Sequence, residues 1–383
     1  MQLKILFVVG KGGDNYQVPY TSKKAPKWLK KGVELYDEYY LDGDEVPSDI
    51  AMAMYLQYKY PKCQIDLIEG SEVHSKTQLD DYDTVFVIND GTEVFLCGSR
   101  KTCLEDLKKF EKAVSTTDAF VYPYPKFHKY IINKFKYYAD LKRAGIPVVD
   151  FIKAVPKDII SNVKAFRAKV EKKGWKGIII KPSYGGYAVG IKVMKNFSRT
   201  TDKTVKDWFR KLQSLDFPNV TVQEFIPSFG KNFEVRTYWI NQKYAYSVAT
   251  LSSSVKASGI VVDDVDTFVS EGGNLPNSLK NKLKILGKEV IKSIMQYKVP
   301  QPFLRIDFGC CLATDNCPET YFVNEVETLA ANMLPDDQYP VVEKTANALH
   351  DFAVKMKGKS EPIGKKSTYK AKVKVCPKSV NKD

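Results

Sequence analysis

Along the first third of the chain, short runs rich in apolar residues recur at residues 3–9, 64–68, 84–88 and 119–122. Runs of that length without alternation predict strands buried on both faces. Between them, helical spacing appears at residues 48–60, with Ser48 in the capping position, and at 102–114. Strands joined by helix-length connections predict an open, mostly parallel sheet covered on both sides. A tyrosine-rich insert over residues 16–44 fits neither period and is expected to be a loop or excursion bordering a site.

After Tyr122-Pro123-Tyr124-Pro125 the pattern changes. A helix is expected over 129–144, stopped by Gly145-Ile146-Pro147, and another over 157–173. Strands are expected at 177–181, 191–194, 220–225, 234–240 and 244–250. Pro276 then opens a long amphipathic helix in which Leu279, Leu283, Leu286, Val290, Ile294 and Met295 recur at helical spacing. The fold class read from this order is α/β in the broad α+β sense, with no internal repeat.

A chain of 383 residues and 43.5 kDa exceeds what one core usually spans, and 44% hydrophobic with 12% aromatic residues argues against global disorder. The N-terminal apolar run is too short to span a bilayer and lacks a small-residue cleavage site, so it reads as a buried strand. Seven cysteines at irregular spacings do not form a disulfide framework, which leads us to expect a reducing, cytoplasmic setting. The formal charge of +14 divides unevenly. From Phe352 to Asp383, ten lysines face Glu361 and Asp383, a net +8, which leaves +6 for the other 351 residues. The basic balance therefore argues for a lysine-rich, solvated tail that could contact an acidic partner, and against a nucleic-acid or membrane partner for the folded part.

The stretch Ile180-Lys181-Pro182-Ser183-Tyr184-Gly185-Gly186-Tyr187-Ala188-Val189-Gly190-Ile191 delivers a strand lysine into a glycine-rich hairpin whose N–H groups can approach phosphate oxygens. The Walker pattern is absent here and at Gly10-Lys11-Gly12-Gly13, which excludes a P-loop site. A second feature is Phe303-Leu304-Arg305-Ile306-Asp307-Phe308-Gly309, followed by Tyr321-Phe322-Val323-Asn324-Glu325-Val326-Glu327. Strand alternation puts Arg305 with Asp307 on one face and Glu325 with Glu327 on one face, while Leu304, Ile306, Phe308, Phe322 and Val326 face a core. Paired as a hairpin, three carboxylates converge beside one arginine, and such a cluster suits Mg²⁺ bridging phosphates. An exposed strand face decorated with charges is the competing reading.

In this order the pieces resemble the ATP-grasp superfamily, with members such as ribosomal-protein glutamate ligases, D-alanine:D-alanine ligase, glutathione synthetase and synapsins. The resemblance covers about residues 120–350. It implies a Rossmann-like domain at 1–120, an ATP-grasp subdomain with the glycine-rich loop at 121–220, a subdomain with metal-binding strands at 221–355, and a flexible tail at 356–383. It implies that Lys134 and Lys181 reach ATP phosphates, with Ser183, Gly185 and Gly186 in the loop over them. It further implies that Gln223, Glu224, Phe225 and Ile226 form the hinge against adenine, and that Glu234 holds the ribose. Asp307, Glu325 and Glu327 would bind the metal, with Arg236 facing phosphate or substrate and Arg305 the tetrahedral intermediate. The chain departs from the family's Glu-x-Asn ending, since Glu327 stands where the amide usually does, with Asn332 as its substitute. A further basic residue is matched only by Lys256.

The activity implied is an ATP-dependent carboxylate–amine (or thiol) ligase forming a C–N bond through an acylphosphate, with ATP and two Mg²⁺ ions, Mn²⁺ being an alternative. Its partners would be a small-molecule or peptide carboxylate and an amine, and a homodimer is common in the family. Two other readings stay open: a kinase of a small polyol or inositol phosphate, served by Lys23, Lys24, Lys27, Lys30 and Lys31, and a synapsin-like ATP-binding regulator with little turnover. Cys310, Cys311 and Cys317 lack zinc spacing and read as core thiols. His74, His128 and His350 form no signature, residues 252–254 read as a polar loop, and the loop from Gly10 to Asp14 lies where open sheets place ligands.

Overall fold

In the first third of the chain the apolar runs pair side by side. The structure, a computed structural model, describes residues 2–10, 17–35, 44–88, 100–183, 190–215, 217–226, 233–251, 267–269, 277–294, 301–311, 320–328 and 338–359. Six strands come first: β1 (Lys4–Val9), β2 (Gln17–Pro19), β3 (Glu45–Pro47), β4 (Gln64–Glu69), β5 (Thr84–Val87) and β6 (Phe120–Tyr122). Of these, β4-β1-β5-β6 form a parallel sheet in that order. Alternate residues of β1 explain why it is apolar throughout from Ile5 to Val9. Ile5, Phe7 and Val9 enter one core with the Ser48–Lys59 helix, whereas Leu6 and Val8 enter another with the Arg100–Thr116 helix. The helix Gln338–Met356 closes the first of these cores through Val341, Val342, Leu349 and Phe352.

The insert is more ordered than its sequence suggests. It contains β2, which pairs with β3 just beyond it, and a helix, Lys27–Leu35, that buries Trp28 and Leu29. Lys23, Lys24, Lys27, Lys30 and Lys31 are all exposed. Ser48 is the first helical residue after Pro47 and supplies no side-chain cap.

Two predicted helices are each split by an asparagine. Asn133 Oδ1 accepts from Lys136 N at 3.2 Å and starts a new helix, Lys134–Arg143, after Pro125–Ile131. Asn162 Oδ1 likewise accepts from Ala165 N at 3.0 Å between Pro156–Ser161 and Val163–Lys172. The cause is local: a short polar side chain satisfies an orphan N–H better than it continues a helix. The first split places Lys134 in the opening position of a helix. The same helix ends where Gly145, at φ +83°, allows Ile146 N to turn back to Leu141 O at 2.9 Å.

Strands β7 (Phe151–Ala154), β8 (Ile178–Pro182), β9 (Lys192–Met194) and β10 (Val220–Glu224) make an antiparallel sheet in the order β7-β10-β8-β9. Its core is filled by Phe166, Val170, Phe209 and Leu212 from the helices over it. The third sheet, β13-β12-β11-β14-β15, is built from β11 (Phe233–Ile240), β12 (Lys243–Leu251), β13 (Thr267–Val269), β14 (Phe303–Cys311) and β15 (Thr320–Glu327). One face of this sheet, with Val235, Trp239, Leu304, Ile306, Phe308, Val323 and Val326, packs on the Lys134–Arg143 and Asn277–Ile294 helices. On the other face, Tyr238, Tyr246 and Phe303 join the core of the parallel sheet. Tyr122, at the carboxyl end of β6, donates its hydroxyl to Phe303 O at 2.7 Å and thus fixes the parallel sheet to the start of β14.

One local irregularity decides which side chains reach the second face. Asp307 pairs with Glu325 but Phe308 pairs with Val323, so Asn324 is the extra residue of a β-bulge. Alternation is interrupted there, and Phe322 does not take the core-facing position expected for it. Its ring lies where a Cβ on Gly309 would sit, only 2.2 Å away, on the same side as Asp307. This corrects the sequence expectation; the reason is the extra residue, which shifts every side chain upstream of it to the opposite face.

Candidate functional site

The second face of the third sheet carries its polar residues in cross-strand rows. Tyr238, Arg305 and Glu327 form one row, Arg236, Asp307 and Glu325 the next, and Glu234 stands opposite Gly309. Arg236 and Asp307, 71 positions apart in sequence, are thereby neighbours. Carboxylate oxygens of Asp307, Glu325 and Glu327 lie within 4.8 Å of one another, and among the described residues this is the group suited to a metal ion. Oxygens around one Mg²⁺ stand at most about 4.2 Å apart, so small side-chain rotations suffice, and hard carboxylate oxygens that leave room for water and phosphate are the donors that ion takes. The residues therefore fit the ion.

Four carboxylates and four bases neutralise one another here. Arg305, 6% exposed, donates from Nε and Nη2 to both oxygens of Asp307 at 2.9 and 2.8 Å and reaches Glu327 Oε2 at 2.8 Å. Lys134 Nζ meets Glu325 Oε1 at 2.5 Å. Lys181 Nζ donates to Asn324 Oδ1 at 2.8 Å, and Asn324 Nδ2 donates to Glu234 Oε1 at 3.1 Å. Arg236 stands opposite Asp307, and its Nε is buried without a hydrogen-bond partner among the described residues.

The electrostatics follow from this layout. Burial would raise Glu325, but Lys134 and Lys181 hold it down to about 2. Glu327 is pushed up to about 7 by burial, which Glu325 and Asp307 reinforce against the opposing Arg305. Burial and the nearby Asp307 also raise Glu234. Burial lowers Lys181, and Lys134 adds to that effect. Burial works against the Arg305 charge, yet Asp307 and Glu327 keep it firmly protonated. Two acids on the same strand are thus driven in opposite directions, Glu325 down by two lysines and Glu327 up by burial beside like charges.

Other expected residues fall around this cluster. Ser183 is fully buried, with Oγ 3.3 Å from Thr221 Oγ1, and its carbonyl accepts from Lys134 N at 3.0 Å. The second sheet thereby meets the start of the lysine helix. Gln223 is buried in β10 beside the Tyr138 phenol. The N–H groups of Glu224 and Phe225 donate to Asp150 O at 3.1 Å and Gly177 O at 2.9 Å, and Ile226 follows, half-buried. Gly185, Gly186, Lys256, Asn332, Cys317, residues 11–14 and 252–254, Met295 and the tail from residue 360 lie outside the described residues, as do the side chains of Cys310 and Cys311. Burial and the neighbouring Lys129 push His128 down to about 4, and His350 stacks on Tyr60 with ring centroids 3.6 Å apart; neither belongs to the metal group.

Asn324 is the residue that sequence reading missed. Period-two alternation assigns it to the core face, opposite Glu325. A signal was present nonetheless, because the apolar core residues Val323 and Val326 are three apart with two polar residues between them. Three is a spacing a regular strand cannot place on one face.

No protein-family model and no curated protein sequence matches the chain. Solved structures do match. D-cycloserine synthetase DcsG aligns with a TM-score of 0.59 at 14% identity, over 93% of this chain and 100% of that one. D-alanyl-alanine synthetase A from Vibrio cholerae O1 biovar eltor gives 0.56 at 15% identity, over 93% and 98%. The ATP-grasp ligase PsnB, solved with a minimal precursor, gives 0.50 at 13% identity, over 92% and 99%. Identities this low speak for architecture alone. With a parallel sheet followed by two antiparallel sheets that are linked through Lys181 and Asn324, the chain has the ATP-grasp fold.

Proposed function

We propose that this chain is an ATP- and Mg²⁺-dependent, ADP-forming carboxylate–amine ligase. The observation that carries the reading is the convergence of Asp307, Glu325 and Glu327 on one sheet face, with Arg305 among them and Lys134 and Lys181 arriving from two other elements. We assign residues 1–120 as the preceding domain, 121–220 and 221–355 as the two halves that enclose the nucleotide, and the rest as tail.

In this reading a carboxylate oxygen of the first substrate attacks the γ-phosphorus of ATP, the bond to the β–γ bridging oxygen breaks, and ADP leaves. The amine then attacks the acyl carbon, inorganic phosphate leaves with the C–O bond's electrons, and the nitrogen loses a proton. Lys134 and Lys181 exchange their present partners for phosphate oxygens and offset the charge there. Asp307, Glu325 and Glu327 would hold Mg²⁺, which when bound neutralises the β- and γ-phosphate oxygens. Arg305, fixed by two carboxylates, presents its guanidinium edge to the oxyanion formed on amine attack. Glu234 takes the ribose hydroxyls, and residues 222–226 line the base. Arg236, with a buried donor to offer, turns toward phosphate or substrate. An acylphosphate hydrolyses in water, so in this reading the site is closed to solvent while the intermediate exists.

The test is a panel of carboxylates and amines with Mg-ATP and the full chain. A ligase releases ADP and free phosphate together with an amide, and Asp307→Ala abolishes the release. Formation of a phospho-product without free phosphate would identify a kinase instead. ATP binding with no ADP release over the whole panel would identify a regulator.

A further inference from the structure

We propose that Asn324 is a positioning residue that orients the phosphate lysine Lys181 and the ribose acid Glu234 together, through one amide that a β-bulge turns into the nucleotide site. The inference rests on the reading of the site as an ATP site and names a residue that the reading does not require.

Three observations carry it. The bulge leaves Asn324 unpaired in the ladder between Asp307 and Phe308, so consecutive side chains, Asn324 and Glu325, enter one face. Its amide has a single orientation here, because an ammonium can only donate and a carboxylate can only accept: Oδ1 must face Lys181 and Nδ2 must face Glu234. Finally, the relay joins two sheets, since Lys181 belongs to β8 and Glu234 to β11. The backbone carbonyl of Asn324 is itself held by the Tyr138 hydroxyl of the Lys134–Arg143 helix. The amide is thus anchored from behind and fixes two ligand-facing groups in front.

The consequence is specific. Lys181 and Glu234 would contact opposite ends of one nucleoside phosphate, and the spacing between those contacts is set by a side chain that touches neither end. An aspartate at 324 would still pair with Lys181 but would repel Glu234. A leucine of similar volume would release both.

The experiment is calorimetric titration of the full chain, in Mg²⁺, with ADP, 2′-deoxy-ADP and 3′-deoxy-ADP, for wild type, Asn324→Leu and Asn324→Asp. Loss of charge-assisted hydrogen bonds predicts that both variants bind ADP about tenfold more weakly. They should also lose the wild-type preference for ADP over the deoxy nucleotides, because Glu234 is no longer aimed. Asn324→Asp, isosteric with the native residue, provides the measurement if Asn324→Leu does not fold. ADP affinity that falls while the preference stays at the wild-type ratio would assign Asn324 a merely structural role and overturn the proposal. Unchanged affinity and ratio in both variants would overturn it too. If wild type binds no nucleotide at all, the ATP-site reading itself falls, an outcome distinct from either.

Discussion

Lys134 Nζ and Glu325 Oε1 stand 2.5 Å apart, so the lysine proposed for phosphate and the acid proposed for the cation neutralise each other at the start of a helix. Either ligand alone must break this pair and leave one charge unpaired; both together exchange it for two better-matched contacts. Binding of nucleotide and of cation is therefore coupled positively. Replacing Lys134 with Met should weaken ADP binding by about tenfold or more, the scale of a lost charge-assisted contact. It should also strengthen Mn²⁺ binding to the nucleotide-free protein, because Glu325 no longer has a competing cation. Mn²⁺ titration followed by electron paramagnetic resonance reads the second effect; a weaker Mn²⁺ affinity in Lys134→Met would show that the pair does not oppose the ion.

Glu327 titrates near neutrality, pushed up to about 7 by burial and by Glu325 and Asp307 against Arg305. A cation needs the ionised carboxylate. Its affinity should rise about tenfold per pH unit below 7 and level off above it. In Glu327→Gln the curve should flatten through that window while the overall affinity falls. Isothermal titration with Mn²⁺ from pH 5.5 to 8.5 on nucleotide-free protein tests this, and an unchanged slope in the variant would assign the titration to another group.

Arg305 is buried and pairs with both Asp307, only 1% exposed, and Glu327. Removing one partner of a buried ion pair leaves an uncompensated charge, which costs about 3 kcal/mol or more. Arg305→Met should accordingly lower the unfolding midpoint in chelator. Millimolar Mg²⁺ should restore much of the loss, and by more than it stabilises wild type, since the ion supplies the missing positive charge. Thermal melts with and without Mg²⁺ decide it: equal increments in the two proteins would mean that the carboxylates do not hold the ion.

Away from the site, Asp49 is 1% exposed within the Ser48–Lys59 helix and accepts from Gly10 N at 3.2 Å and Ile50 N at 2.9 Å. Burial raises it from 3.8 to about 6, despite the opposing hydrogen bonds from Gly10 and Ile50. An acid raised in the folded state binds its proton more tightly there than in the unfolded chain. Its stabilising contribution is present at low pH and is lost as pH rises from about 4 through about 6. The difference in stability between wild type and Asp49→Asn should decline by on the order of 3 kcal/mol across that window. Urea melts at pH 4, 5, 6 and 8 measure it, and a difference independent of pH would mean that Asp49 stays ionised throughout.

Much of the fold was legible because burial on two faces or one leaves a period in the sequence. The unbroken apolar run from Ile5 to Val9 predicted a strand covered on both sides, and the order of Lys134, Lys181, Glu234, Asp307 and Glu325 could be read as a series. Helix ends were harder, as Asn133 and Asn162 show, because a capping side chain competes with helix continuation for the same N–H groups. The direction of Phe322 and the place of Asn324 were misassigned because one inserted residue inverts alternation for everything upstream of it.

The sequence by itself determined which segments bury, which residue types carry charge into them, and in what order the phosphate, ribose and metal candidates follow one another. These depend on local periodicity and chemical type, which a linear chain displays. Only the tertiary structure decided which base neutralises which acid: Arg305 with Asp307 and Glu327, Lys134 with Glu325, and Lys181 with Glu234 through Asn324. Those choices depend on distances of about 3 Å between strands and a helix end far apart in the chain. Coulomb interaction and desolvation act through space, so the acidity of Glu325 and of Glu327, two residues apart, is set by neighbours that no spacing along the sequence specifies.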